Sequence, residues 1–129
     1  MSIELHMLAW SVVLGLVQVL LPTLFAMKLR GLDWAASPRD DVLPALAGVG
    51  GRLDRARANF LETFPFFVAV LLATLVLQRH DGMTSLGAQL YFWARLLYVP
   101  VYAAGIAYLR TLIWFTSIAG IVILLAALL

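Results

Sequence analysis

Residues 52–77, RLDRARANFLETFPFFVAVLLATLVL, carry three arginines, an asparagine and a glutamate directly into an apolar run that ends at Leu77. A bilayer core needs about 20 apolar residues per spanning helix, and this run is long enough to cross one. The arginines then fall at the headgroups, and Glu62 falls about two and a half helical turns further in. At that depth an unpaired carboxylate facing lipid is costly, so Glu62 is expected to point into the protein.

The rest of the chain fits that reading. With 129 residues, 64% of them hydrophobic and 12% charged, it is too short for two ordinary domains and too apolar for a soluble one. Residues 3–28, 52–78, 85–108 and 111–129 are each expected to form a helix, giving an all-α, four-transmembrane-helix antiparallel bundle in a single domain over residues 1–129. The only long connection, residues 30–51, is rich in Gly, Pro, Ser and Asp and reads as an extramembrane loop. The start, MSIELHMLAW, lacks a basic n-region and a small-residue cleavage site, so the first helix is expected to be retained. Pro22, Pro65 and Pro100 fall inside predicted helices, where each is expected to introduce a kink.

Charge orients the bundle. Lys28, Arg30, Arg39, Arg52, Arg55 and Arg57 flank the long loop and Arg110 lies on the same side, against Arg79 alone on the other. The positive-inside rule places that loop in the cytoplasm and both termini outside. Tyr91, Trp93 and Trp114 read either as interfacial aromatics or as packing residues. The chain has no cysteine, so any thiol chemistry must use a sulfur from elsewhere. A net charge of +2 is too small to suggest nucleic acid, and His6 and His80 are far apart and read as solvated, so no metal site is expected.

On a helix, Arg52, Arg55, Asn59 and Glu62 share one face within roughly 60°, with Arg57 opposite. Arg95, Tyr98 and Tyr102, at i, i+3 and i+7, share a face of the following helix at a similar depth. Two readings follow. Glu62 pairs with Arg55 or Arg95 to fix helix packing, or the two polar stripes form a pocket. Arginine forks, an amide, a carboxylate and two phenols suit a zwitterionic ligand bearing carboxylates and an amine.

The pattern R-x-R-x-N-x-x-E-x-F-P at 55–65, followed by R-x-x-Y-x-x-x-Y at 95–102, resembles the MAPEG family, membrane-associated proteins in eicosanoid and glutathione metabolism. The resemblance extends over nearly the whole chain. It implies a homotrimer that binds glutathione between neighbouring subunits near the cytoplasmic face. Arg55, Asn59 and Glu62 match the family's ligands on the second helix, and Tyr98 and Tyr102 those on the third. The family's thiolate-stabilising arginine follows the second tyrosine by seven residues; here position 109 is Leu, so Arg110 is the first choice for that role and Arg30 the second. A cation there favours the thiolate by charge pairing. Thr63 and Arg57 stand where eukaryotic enzymes often have Tyr and Gln, which resembles the bacterial branch and implies a bacterial inner membrane.

The implied activity is that of a glutathione-dependent transferase or peroxidase acting on lipophilic electrophiles or hydroperoxides, with glutathione as co-substrate. A non-catalytic member that binds lipid or glutathione is the alternative. A small multidrug transporter, also four helices in this length, is more remote: the first helix has no glutamate beyond Glu4, and the basic residues are unevenly divided between the two sides.

Overall fold

A computed structural model describes residues 2–38, 40 and 43–129; Arg39, counted above among the loop's basic residues, lies outside the described residues. The elements are α1 (Ile3–Arg30), α2 (Leu32–Ala36), α3 (Gly48–Val76), α4 (Gly82–Ala103) and α5 (Ala107–Leu128). No strand occurs among the described residues.

Local chemistry explains where the helices begin and end. Ser2 caps α1 by accepting from the Leu5 amide at 3.3 Å, and Gly31, at φ 88°, stops it beside Lys28 and Arg30. Asp81 opens α4 with a capping box: its carboxylate accepts from the Met83 and Thr84 amides, and the Thr84 hydroxyl accepts from the Asp81 amide. α4 ends in a Schellman turn, with the Ile106 amide on the Val101 carbonyl, the Gly105 amide on the Tyr102 carbonyl, and Gly105 at φ 77°. The helix therefore stops at Ala103, short of the expected residue 108.

α3 begins at Gly48, four residues before Arg52. The glycines that suggested loop are used for close approach. A Cβ on Gly51 would lie 2.2 Å from the Leu46 carbonyl oxygen, and one on Gly50 would lie 3.3 Å from the Phe25 ring. The expected loop is thus shorter, and it contains the five-residue α2.

Three cross-links show that the four long helices alternate in direction. Thr84 donates to the Glu4 carboxylate at 2.9 Å and Arg79 to the Leu128 carbonyl at 2.8 Å at one end, and Arg52 Nε donates to the Ala103 carbonyl at 2.8 Å at the other. α4 packs most closely on α5, while α3 touches α1, α4 and α5. The core is aromatic. Phe67 stacks on Tyr91 with ring centroids 4.0 Å apart, and Leu14, Phe60, Leu71 and Leu124 pack around them. Tyr91 is fully buried, so the interfacial reading of that residue gives way to packing.

The polarity is that of a membrane protein. Glu4, Ser11, Gln18, Thr63, Thr84 and Arg95 are buried, whereas Leu16, Leu20, Leu24, Leu112 and Phe115 are exposed. α1, α3 and α5 are long and apolar enough to cross a membrane. α4 has the length, about 33 Å at 1.5 Å per residue, but carries Gln89, Arg95 and three tyrosines.

Candidate functional site

The start of α3, the end of α4 and the first turns of α5 come together at the same end of the bundle as the long loop. Between them lies a cavity of about 410 Å³, lined by Arg55 and Asn59 of α3, Tyr98 and Tyr102 of α4, and Arg110 of α5. Arg55 Nε donates to the Tyr102 hydroxyl at 3.3 Å. The Arg110 guanidinium lies 4.8 Å from the Tyr102 ring centroid. The rings of Tyr98 and Tyr102 are 5.5 Å apart and tilted. The one-turn spacing of Tyr98 and Tyr102 on α4 is what sets these two rings side by side.

Arg95 and Arg52 act from behind. Arg95 is 1% exposed; its Nη1 donates to Asn59 Oδ1 at 2.9 Å, and its guanidinium lies 4.3 Å from the Tyr98 ring centroid. It orients the asparagine at the cavity edge and does not line the cavity itself. Arg52, through the Ala103 carbonyl, ties the start of α3 to the last turn of α4. Thr63 is buried and bonded at 2.9 Å to the Tyr91 hydroxyl, so it fastens α3 to α4.

Two residues lie elsewhere. Glu62, expected to point inward, is exposed on the open flank of α3, alongside Leu61 and Phe66. The inward positions are taken by Phe60, Thr63 and Phe67. Glu62 makes no ion pair among the described residues. Arg30 borders a different cavity, of about 360 Å³, on the α1 side of α3 together with Arg57. There Arg30 donates to the Pro44 carbonyl and lies 4.7 Å from the Trp34 ring centroid, while Arg57 pairs with Asp54 at 2.9 Å.

The residues that the stripe argument missed come from α5: Thr111, Trp114 and Phe115 complete the wall. Their spacing from Arg110, one, four and five residues on, is a helical face that could have been read from the arginine outward. Chemically the cavity offers two arginines, an amide and two phenols together with the large rings of Trp114 and Phe115. No carboxylate lines it, and among the described residues neither Arg55 nor Arg110 is ion-paired. Its volume is within the range of small-molecule sites, about 300–1,000 Å³. Among the described residues no group of His, Cys, Asp or Glu is arranged to hold a metal.

A helical membrane protein with an arginine- and tyrosine-lined cavity at one end of its bundle is therefore the class that fold and site define. The sequence matches the model of the MAPEG family over residues 7–129, and the chain belongs to that family. No curated protein matches it.

Proposed function

We propose that the protein is an integral-membrane, glutathione-dependent transferase or peroxidase acting on lipophilic electrophiles or hydroperoxides. The observation that carries this is the convergence of Arg55, Asn59, Tyr98, Tyr102 and Arg110 on one cavity without an acidic partner. The family, which includes such enzymes, supports it. Arg55 takes a glutathione carboxylate through a charge-assisted bond, and Asn59, held by Arg95, offers its amide. Arg110 faces the sulfur and lowers the thiol's pKa by charge pairing. The thiolate then attacks a lipophilic electrophile: a C–S bond forms and the electrophile's leaving group departs. With a hydroperoxide it attacks the O–O bond instead, releasing an alcohol. A second glutathione then reduces the sulfenic acid, giving glutathione disulfide and water. Trp114 and Phe115 supply the apolar wall on the lipid side.

In this reading α4 is the fourth span, its polar residues turned inward, and three copies assemble with a site between neighbours. Two observations favour the assembly. Glu62 lies on an exposed flank of α3 beside Leu61 and Phe66, where lipid is a poor neighbour for a carboxylate. Arg30 lines a cavity on the other side of α3, so only a neighbouring copy can bring it to the site. The long loop and Arg110 face the cytoplasm, and the membrane is a bacterial inner membrane.

A non-catalytic, glutathione-binding protein is the second reading, favoured by Leu109 at the position of the family's thiolate arginine and by the seating of Arg110 over the Tyr102 ring. The test is glutathione binding and conjugation of a generic electrophile by the purified protein and by Arg55→Ala, Glu62→Ala and Arg110→Ala. Binding lost in the first two and turnover lost in the third supports the enzyme. Binding without turnover in the parent selects the second reading, and no binding at all removes both.

A further inference from the structure

Five buried side-chain atoms among the described residues have no hydrogen-bond partner: Ser11 Oγ, both amide atoms of Gln18, and Nε and Nη2 of Arg95. Helical spacing places them along one seam. α1 and α4 run parallel, and the 2.9 Å bond from Thr84 to Glu4 sets their register. At about 100° and 1.5 Å per residue, Ser11 and Gln18 lie within about 40° of Glu4 on α1, roughly 10 and 21 Å along it. On α4, Arg95 lies within about 20° of Thr84 and roughly 16 Å along. The guanidinium stem therefore leaves α4 on the side that faces α1, between the levels of Ser11 and Gln18. Each is about 5 Å away along the axis, within the reach of these side chains.

The polarities match. Arg95 has only donors to offer, and the Gln18 amide oxygen is an acceptor. Gln18 is 2% exposed, Ser11 0% and Arg95 1%. In a bundle surrounded by hydrocarbon no bulk solvent relieves an unpaired guanidinium N–H. A buried, unsatisfied hydrogen-bonding group costs about 1–3 kcal/mol, and a charged one more.

We propose that Gln18 is a positioning residue for Arg95: its amide oxygen accepts from the unpaired guanidinium N–H groups, directly or through one water shared with Ser11, and so keeps Nη1 on Asn59 at the cavity edge. The brace holds whatever the cavity binds; only its effect on glutathione rests on the function proposed above. A glutamine that merely fills space would be indifferent to what occupies position 95.

The experiment is a pair of double-mutant cycles read by thermal unfolding in detergent. Gln18→Leu and Gln18→Glu are each made with Arg95 intact and with Arg95→Met. With Arg95 intact, Gln18→Leu lowers Tm, while Gln18→Glu, which restores an acceptor, keeps Tm at or above that of the parent. With Arg95→Met the order reverses, and Gln18→Glu is the more damaging. Equal shifts in the two backgrounds, for either substitution, overturn the proposal. Hydrogen exchange of the Arg95 guanidinium, followed by nitrogen-15 NMR, decides the matter if Arg95→Met does not fold. Exchange quickens at least about tenfold in Gln18→Leu and not in Gln18→Glu; unchanged exchange in Gln18→Leu overturns the brace. Glutathione affinity falls in Gln18→Leu and returns in Gln18→Glu. A parent protein that binds no glutathione removes the proposed function but leaves the cycles to judge the brace.

Discussion

At the scale of single residues the cavity separates groups that would touch a ligand from groups that hold those groups. Arg55 belongs to the first kind. Replacing it with Ala removes a charge-assisted bond, typically about 1.5–3 kcal/mol, and is expected to weaken glutathione binding by roughly 10- to 100-fold in calorimetric titration. Arg55→Lys recovers part of this, because an ammonium keeps the charge but loses the planar fork. Thr63 belongs to the second kind. Thr63→Val strands the buried Tyr91 hydroxyl and is expected to cost about 1–2 kcal/mol, seen as a lower Tm. It should leave glutathione affinity nearly unchanged, since the Tyr91 ring faces Phe67 and not the cavity. Much of the site was legible because residues one helical turn apart, Arg55 with Asn59 and Tyr98 with Tyr102, must share a face. The direction of Glu62 was not legible. Its depth is a property of sequence position, but which flank of α3 is covered depends on where α1 and α4 pack. Ser11 and Gln18 escaped notice because single polar residues in an apolar run leave its hydropathy almost intact.

At the scale of elements, the helices were legible as lengths of apolar chain, and their ends were not. Gly105 stops α4 because a glycine at φ 77° completes a Schellman turn, whereas Gly50 and Gly51 sit inside α3 because the Phe25 ring of α1 and the Leu46 carbonyl just ahead of the helix approach closely. Composition alone cannot tell a stopping glycine from a packing one. The packing kind also joins α4 to α5: a Cβ on Gly87 would lie 2.8 Å from the Gly120 carbonyl oxygen, and one on Gly120 would lie 2.5 Å from the Gly87 carbonyl oxygen. Either Gly→Ala change forces these backbones apart. Overpacking of this kind costs about 1–3 kcal/mol, so both variants are expected to unfold at lower temperature and to disturb the α5 wall of the cavity. The end of α3 makes the opposite prediction. It too closes in a Schellman turn, with Arg79 on the Thr74 carbonyl, but the left-handed position is Gln78 at φ 55°. Gln78→Gly relieves that strain and is expected to stabilise the protein by about 0.5–1 kcal/mol, read as a higher Tm with unaltered ligand binding.

At the scale of the whole molecule, one copy is a bundle whose polarity is reversed relative to a soluble protein, with carboxylate, amide and guanidinium groups inside and leucines outside. Glu62, exposed beside Leu61 and Phe66 on α3, departs from that rule, and Arg30 and Arg57 border a second cavity on the far side of α3 from the first. In the closed ring proposed above, each site would draw Arg55 from one copy and Arg30 from its neighbour. This arrangement has a consequence that a site contained in one copy does not share. Arg55→Ala and Arg30→Ala homo-oligomers should each bind glutathione weakly. When the two variants are co-expressed and purified together through different tags, some interfaces combine an intact Arg55 from one chain with an intact Arg30 from the other. Those interfaces are expected to bind with parental affinity, at a stoichiometry well below one per chain. Titration of the mixed assemblies, with native mass measurement to count the chains, reads both quantities. If the mixed assemblies bind no better than either parent variant, the sites do not lie between copies, and Glu62 must find its neighbour by some other contact.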